Sequence, residues 1–230
     1  MLDQPQAEPG PGFCLNNPAL PWLNAFTRAL AGHAEWRTIQ QKNDPHIFEN
    51  LSKGQSPKIL WIGCSDSRIP AEQILNLKPG DVFVHRNIAN VLSPSDLSSL
   101  SVIEFAVAHL KVEHAVVCGH TSCGGVQAAL ANKSLGVLDM WLQPIKQLRF
   151  EHGKELEAAG EDKVRKLSEL NVLNSLEVLK MNPTVIEAVR KRGLQLHGLI
   201  YDLKQGKLET LDGEEEEDVR GRKFDVFAVE

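Results

Sequence analysis

The chain has 230 residues, of which 42% are hydrophobic, and a formal net charge of −5 at neutral pH. This length and apolar content suit one sizeable buried core. The negative charge argues against nucleic acid as a partner, and no apolar run approaches the roughly 20 residues that a membrane-spanning helix needs. We therefore expect a globular protein that uses neither nucleic acid nor a membrane.

Cysteine usage and the first residues bear on the compartment. The four cysteines are Cys14, Cys64, Cys118 and Cys123, and the last two fall in one strand-and-turn unit with a histidine. That grouping favours metal or thiol chemistry in a reducing compartment over disulfides. The N-terminus also lacks the apolar region of a secretory signal. We expect a cytoplasmic protein, or a mitochondrial one if a presequence has been removed.

Residues 1–44 are predicted to form an N-terminal arm that packs on a partner subunit. Prolines with little periodicity predict an extended segment over residues 1–21. One or two amphipathic helices, broken near Gly32, are predicted from Pro21 to about Lys42. They are indicated by the spacing of Trp22, Phe26, Leu30 and Trp36.

Residues 45–230 are predicted to form one domain in which strands alternate with helices. Helices are predicted over 46–53, 70–75, 97–110, 124–131, 137–180 with breaks near Pro144 and Gly160, and 183–192 between Asn182 and Gly193. Strands are predicted over 58–64, 81–85, 114–120, 194–202, 207–211 and 224–229. This order predicts an α/β fold with a mainly parallel sheet of about four parallel strands plus an antiparallel edge strand, flanked by helices.

Two of the predicted strands end at residues that bind metals. The apolar runs Lys58-Ile-Leu-Trp-Ile-Gly-Cys64 and His114-Ala-Val-Val-Cys-Gly-His120 both break at glycine, and Cys123 follows the second. Carboxyl ends of parallel strands meet at one edge of an open sheet. Zinc prefers thiolate and imidazole, and a catalytic zinc keeps one of its four positions for water. Three ligands therefore indicate a catalytic site.

Cys118 is an alternative ligand. Side chains alternate along a strand, so Cys118 shares a face with His120 if the strand continues through Gly119. Its position inside the apolar run favours the core. With Cys118 as a fourth ligand the site would be the closed Cys3His centre of a non-enzymatic zinc or thiol-sensing protein.

Asp66 and Arg68 follow Cys64 at two-residue intervals, in a loop that must pass the metal. A neighbouring arginine favours the charged form of an aspartate. Asp66 is therefore expected either to orient a water on the metal or to become the fourth ligand itself. These alternatives correspond to an active and an inactive state.

The segments Cys64-Ser-Asp66-Ser-Arg68 and His120-Thr-Ser-Cys123-Gly-Gly125 resemble the signature of the β-class carbonic anhydrases, and the likeness extends over about residues 45–211. It implies a carbonate dehydratase that converts CO2 to bicarbonate by attack of zinc-bound hydroxide. It also implies one Zn²⁺ per subunit, held by Cys64, His120 and Cys123, with Asp66 and Arg68 as the catalytic dyad. The family builds its sites at a dimer interface, so we expect a homodimer or a dimer of dimers.

The same resemblance assigns further residues. The substrate pocket would be lined by Gln55, Phe83, Gly124 and Phe105, which stands where relatives often have tyrosine. A regulatory bicarbonate site that favours Asp66 on zinc matches Trp61, Arg86 and Tyr201.

His85 and His109 are candidates for relaying the proton that leaves the site, although packing or surface roles are favoured for both. Because related enzymes reuse this scaffold, hydrolysis of another heterocumulene such as carbon disulfide stays an alternative.

Overall fold

The structure is a computed structural model, and it describes residues 24–131, 133–211 and 217–227. By its internal contacts the chain divides after Gly54 into a helical unit and a larger α/β unit. Within the described ranges every helix is too short or too polar to span a bilayer. The extended segment predicted over residues 1–21, including Cys14, lies outside the described residues.

The helical unit contains α1 (Ala25–Asn43) and α2 (Ile47–Ser52). Asn24 caps α1, because its side chain accepts a hydrogen bond from the Thr27 N–H at 2.9 Å. The helix continues past Gly32, so the break predicted there is wrong. A single interior glycine costs a helix about 1 kcal/mol, which a capped helix of 19 residues tolerates.

The α/β unit is built on a five-stranded sheet in the order β2-β1-β3-β4-β5. The strands are β1 (Ile59–Cys64), β2 (Val82–Asn87), β3 (His114–His120), β4 (Gln195–Asp202) and β5 (Lys207–Leu211). The first four pair in parallel, and β5 runs antiparallel to β4. The predicted mainly parallel sheet with an antiparallel edge strand is confirmed.

Helices flank this sheet. They are α3 (Ala71–Ile74), α4 (Leu97–Glu104), α5 (Gly124–Leu130), α6 (Val137–Trp141), α7 (Gln143–Glu151), α8 (Gly153–Ala158), α9 (Lys163–Lys180), α10 (Pro183–Arg192) and α11 (Glu217–Phe227). A π-helix, Phe105–His109, continues α4, and 3₁₀ turns lie at Ile88–Asn90 and Gly160–Asp162. The predicted caps of α10 are confirmed, since Asn182 accepts from the Val185 N–H and Gly193 is left-handed.

The strand predicted over 224–229 is wrong in its described part, which belongs to α11. Phe224 and Val226 alternate as in a strand, but they span too few residues to specify one. Asp218 and Arg222 form a pair four residues apart, at 3.5 Å, which supports a helix.

The sheet is buried on both faces, as parallel sheets are. Leu60 and Ile62 of β1 pack in one cluster, and Trp61 between them packs in another with Val116 and Cys118 of β3. Alternate residues of one strand therefore serve opposite faces.

Helix α9 lies against β3 and β4 because two strand residues lack side chains there. A Cβ at Gly119 would lie 2.7 Å from Val172 Cγ2, and one at Gly198 would lie 2.8 Å from Leu176 Cδ1. This close approach brings α9 to the sheet edge at which β1 and β3 end.

Candidate metal centre

Three metal-binding side chains lie together where β1 and β3 end. Cys64 is the last residue of β1, His120 is the last residue of β3, and Cys123 immediately precedes α5. Since β1 and β3 are parallel neighbours, their carboxyl ends meet at one edge of the sheet. The three ligand atoms lie within 4.8 Å of one another, and all three residues are buried. The structure thus brings together the residues that the sequence pattern singles out.

His120 presents a free lone pair to this cluster. Its Nδ1 is 2.9 Å from the carbonyl oxygen of Thr121, which can only accept, so Nδ1 carries the proton and donates it. The other ring nitrogen, Nε2, is buried and has no hydrogen-bond partner among the described residues. A buried acceptor without a partner is costly. A metal ion at Nε2 would remove that cost.

The two thiols of the centre share a hydrogen bond. That bond from Cys123 holds the pKa of Cys64 well below its usual value, and hydrogen bonding from the backbone N–H groups of Asp66 and Ala89 lowers it further. The same shared bond, together with burial, raises the pKa of Cys123, whose sulfur accepts the N–H groups of Val126 and Gly125. A divalent cation would take the place of the shared proton.

The donor set fits zinc. Two sulfurs and one imidazole nitrogen are ligands that Zn²⁺ prefers, and three protein ligands leave one tetrahedral position for a reactant. The described residues therefore provide three protein ligands, which is the number that a catalytic zinc site has.

Asp66 lies beside the centre and is held by Arg68. Arg68 donates from Nε to Oδ1 at 2.9 Å and from Nη2 to Oδ2 at 2.7 Å, and its backbone N–H donates to Oδ1 at 3.0 Å. These bonds hold the pKa of Asp66 well below its usual range. The carboxylate is therefore ionised, and it is 16% exposed.

Cys118 lies outside the group of three. It is buried with Trp61, Ala71 and Val116, and its thiol donates to the carbonyl of Gly119 at 3.2 Å. Burial raises the pKa of Cys118 to about 12, so the residue is a protonated core thiol. The described geometry does not form a Cys3His centre.

Of the three residues matched to a bicarbonate site, two pack together and the third contacts the backbone at the centre. Trp61 and Tyr201 pack in one cluster, and the buried Trp61 Nε1 has no partner within the described chain. Arg86 donates from Nε to the Cys64 carbonyl at 2.7 Å and from Nη2 to the Asp66 carbonyl. Arg86 thus ties β2 to the backbone of the Cys64–Asp66 loop.

The predicted pocket residues are dispersed within one chain. Phe83 and Phe105 have ring centroids 5.8 Å apart, and His109 lies 5.7 Å from Phe105. Gly124 opens α5 next to Cys123. Gln55 lies four residues before β1, at the opposite end of that strand from Cys64.

The two candidate relay histidines differ in their surroundings. His85 is buried on β2, and its Nε2 lies 3.3 Å from Asn87 Nδ2. Burial lowers the pKa of His85. His109 is exposed at the end of the π-helix.

A strained turn behind Cys64 was not predicted from the sequence. Ala89 and Asn90 have φ of 60° and 46°, a region that costs non-glycine residues about 1 to 3 kcal/mol each. The three carbonyls of the Ile88–Asn90 turn accept side-chain hydrogen bonds. The donors are Trp141 Nε1 at 2.9 Å, Asn171 Nδ2 at 2.8 Å and Ser175 Oγ at 3.2 Å, respectively.

Two of the side chains that hold this turn, Asn171 and Ser175, could have been found from the sequence. Asn171 and Ser175 stand four residues apart beside the apolar stripe of α9, and both are buried. Buried polar side chains need a partner, so such a pair indicates a bond to another element. The left-handed turn that accepts those bonds has no comparable signal, because Ala89 is an unusual residue there.

Fold and site together define an open-sheet α/β protein with a three-ligand centre of two thiols and one imidazole. Residues 59–208 match the family model described as carbonic anhydrase. A carbonic anhydrase of Emericella nidulans is 48% identical over 180 residues, which cover 77% of this chain and 79% of the relative.

Solved structures agree with this match. The β-carbonic anhydrase CafA of Aspergillus fumigatus superposes with a TM-score of 0.89 at 51% identity, covering 90% of this chain and all of that one. A structure from a study of two tetrameric β-carbonic anhydrases of Sordaria macrospora gives 0.81 at 48% identity, over 82% of this chain and 98% of that one. The chain belongs to the β-class carbonic anhydrase family, and its predicted assignment to the carbonate dehydratases is confirmed.

Proposed function

We propose that this chain catalyses the reversible hydration of carbon dioxide to bicarbonate and a proton, with one zinc ion per subunit held by Cys64, His120 and Cys123. The observation that supports this most directly is the buried three-ligand group with an ionised carboxylate beside it. When bound, zinc supplies Lewis-acid activation of water, lowering its pKa to about 7.

The chain's own residues orient the reaction. Asp66 is ionised and accepts a hydrogen bond from the attacking water, which aims the water's lone pair at the carbon of CO2. Arg68 fixes the carboxylate through two side-chain bonds. His120 keeps its Nε2 lone pair directed at the centre because its Nδ1 proton is engaged by Thr121.

The substrate pocket would be completed by a second copy of the chain. From Ile59 to Cys64 the strand rises about 17 Å at about 3.3 Å per residue, and Gln55 precedes Ile59. Phe83 pairs with Leu60, which is also remote from Cys64 along the strand. These side chains therefore lie far from their own centre, and a partner's copies would supply the amide donor and the apolar wall.

This requirement supports a homodimer or a dimer of dimers. In that assembly the N-terminal arm, residues 1–44, would pack on the partner, and residues 45–230 would form the zinc domain. The free thiols of Cys64, Cys118 and Cys123 support a reducing compartment, and we place the protein in the cytoplasm.

Regulation by bicarbonate would act through Arg86. Its guanidinium holds the carbonyls of Cys64 and Asp66, and it has N–H groups left for an anion. An anion bound between Trp61, Arg86 and Tyr201 would draw Arg86 away from this loop. Asp66 would then leave Arg68 and become the fourth ligand, which gives the inactive state.

Stopped-flow measurement of CO2 hydration by the zinc-loaded protein tests the function. We expect one zinc per chain and fast hydration, and we expect Cys64→Ala to lose both. Lys191→Gln, which removes an exposed ion pair with Glu187, is the control. Full zinc occupancy without CO2 hydration would refute the proposal, and sulfide release from carbon disulfide in the same samples would favour the alternative substrate.

A further inference from the structure

The turn Ile88–Asn90 links the metal centre to the helices behind it. Ala89 packs in one buried cluster with Cys64 and Cys123, and a Cβ at Gly125 would lie only 2.9 Å from Ala89 Cβ. In this position the Ala89 N–H can donate to the sulfur of Cys64, which lowers the pKa of that thiol. That N–H and the Ile88 carbonyl belong to one planar peptide unit, in which they point in opposite directions. Trp141 Nε1 donates to this carbonyl at 2.9 Å. Trp141 and the Cys64 sulfur therefore bind opposite ends of the rigid Ile88–Ala89 peptide unit.

The next peptide unit, between Ala89 and Asn90, is also held by a side-chain donor. Its oxygen, the Ala89 carbonyl, accepts from Asn171 Nδ2 at 2.8 Å, and Asn171 is 1% exposed. Ser175 adds a bond to the Asn90 carbonyl at 3.2 Å. Ala89 and Asn90 are both left-handed, a conformation that persists only where surrounding contacts impose it.

We propose that Trp141 and Asn171 are positioning residues for the metal centre, because they fix the turn that keeps the Ala89 N–H on the Cys64 sulfur. This inference rests on the proposed zinc site. A hydrogen bond to a ligand sulfur orients its lone pairs and withdraws electron density from it. Loss of such outer contacts usually weakens metal binding about 10- to 100-fold.

Trp141→Phe keeps an aromatic ring but removes the N–H donor together with one ring of the indole, and Asn171→Leu keeps the number and branching of the side-chain heavy atoms while removing the donor. For each we expect the zinc dissociation constant, measured by competition with a chromophoric chelator, to rise about tenfold. In the Co²⁺-substituted variants the thiolate-to-cobalt charge-transfer band should move to longer wavelength, because the sulfur of Cys64 becomes more electron-rich.

Ser168→Ala is the matched control. Ser168 is a buried polar residue of the same helix, but its hydroxyl donates to Val164 within α9 at 2.8 Å. Its loss should lower the unfolding temperature without moving the zinc dissociation constant or the cobalt band. A purely structural role for Trp141 and Asn171 would give this same control pattern.

Folded Trp141→Phe with the wild-type dissociation constant and the wild-type cobalt band would overturn the inference. If Asn171→Leu does not fold, Trp141→Phe decides alone, since the indole is only partly buried. Absence of zinc binding and of a thiolate–cobalt band in the wild type would instead refute the proposed function. The two failures are thereby distinguished.

Discussion

The carboxylate of Asp66 stops 3.9 Å from Nε2 of His120, too far for a hydrogen bond. Arg68 holds it there, and the imidazole nitrogen is left for a metal. The two side chains therefore have separate roles in the proposed mechanism, in which the histidine would bind the metal and the aspartate would orient the attacking water.

Loss of Arg68 should release this carboxylate. We expect Arg68→Gln to lower kcat for CO2 hydration about 100-fold, the usual effect of misplacing a reacting group by about 1 Å. Zinc content should stay at the wild-type level, because Arg68 is not a ligand. Turnover is measured by stopped flow, with Lys191→Gln as the surface control. Wild-type turnover in Arg68→Gln would contradict the orienting role.

Zinc should stabilise the folded chain. At 100 times its dissociation constant a ligand adds about 2.7 kcal/mol, which corresponds to about 5 to 10 °C in Tm for a domain of this size. Calorimetry of metal-free and zinc-loaded protein measures the difference. We expect Cys64→Ser to lose this increment and Cys118→Ser to retain it, although the core substitution lowers both transitions. Loss of the increment in Cys118→Ser would point to a fourth thiolate ligand.

The adjacent glycines at the start of α5 should respond differently to alanine. A Cβ at Gly125 would lie 2.9 Å from Ala89 Cβ, whereas one at Gly124 would meet nothing within 4 Å. We expect Gly125→Ala to reduce the free energy of unfolding by about 1 to 3 kcal/mol. Gly124→Ala should change it by no more than about 0.5 kcal/mol. Urea denaturation compares them, and equal effects would mean that the turn yields to the added methyl group.

Tyr201 should matter for the response to bicarbonate. Removing its hydroxyl in Tyr201→Phe takes away one donor of the proposed regulatory site and leaves the ring in its cluster. We expect inhibition to require a higher bicarbonate concentration. Initial rates over a bicarbonate series at constant pH and ionic strength measure this, and an unchanged dependence would count against the site.

A histidine pair at the start of β3 and β4 should make stability depend on pH. His114 Nδ1 lies 3.1 Å from His197 Nε2, and burial together with His114 lowers the pKa of His197. The folded chain then binds fewer protons than the unfolded chain just below pH 6.5, so stability falls as the pH falls through this window.

Replacing one member of this pair should reduce that dependence. We expect His197→Asn to show a shallower loss of unfolding free energy between about pH 7 and 5. Above about pH 7.5 imidazole is neutral in both states, so wild-type and variant curves should run parallel there. Urea denaturation at each pH gives the curves, and equal slopes in the acidic range would rule out a contribution from His197.

Patterns along the chain predicted the parts of the fold that local burial determines. Apolar runs ending at Cys64 and His120 placed two adjacent strands correctly, and Asn182 with Gly193 bounded α10. The continuous α1 and the helical α11 were missed because Gly32 and the alternation of Phe224 with Val226 are weak signals. The support of the centre was missed for a different reason. Trp141 and Asn171 reach the turn only after several helices pack, and no local pattern encodes that approach.

Cys64 ends β1 and Cys123 follows the neighbouring strand β3, so the two thiols are close in space but distant along the chain. During synthesis the first thiol emerges long before its partners, and only pairing of β1 with β3 assembles a chelate. Tight binding of zinc at the proposed site would therefore follow the pairing of β1 with β3 rather than precede it.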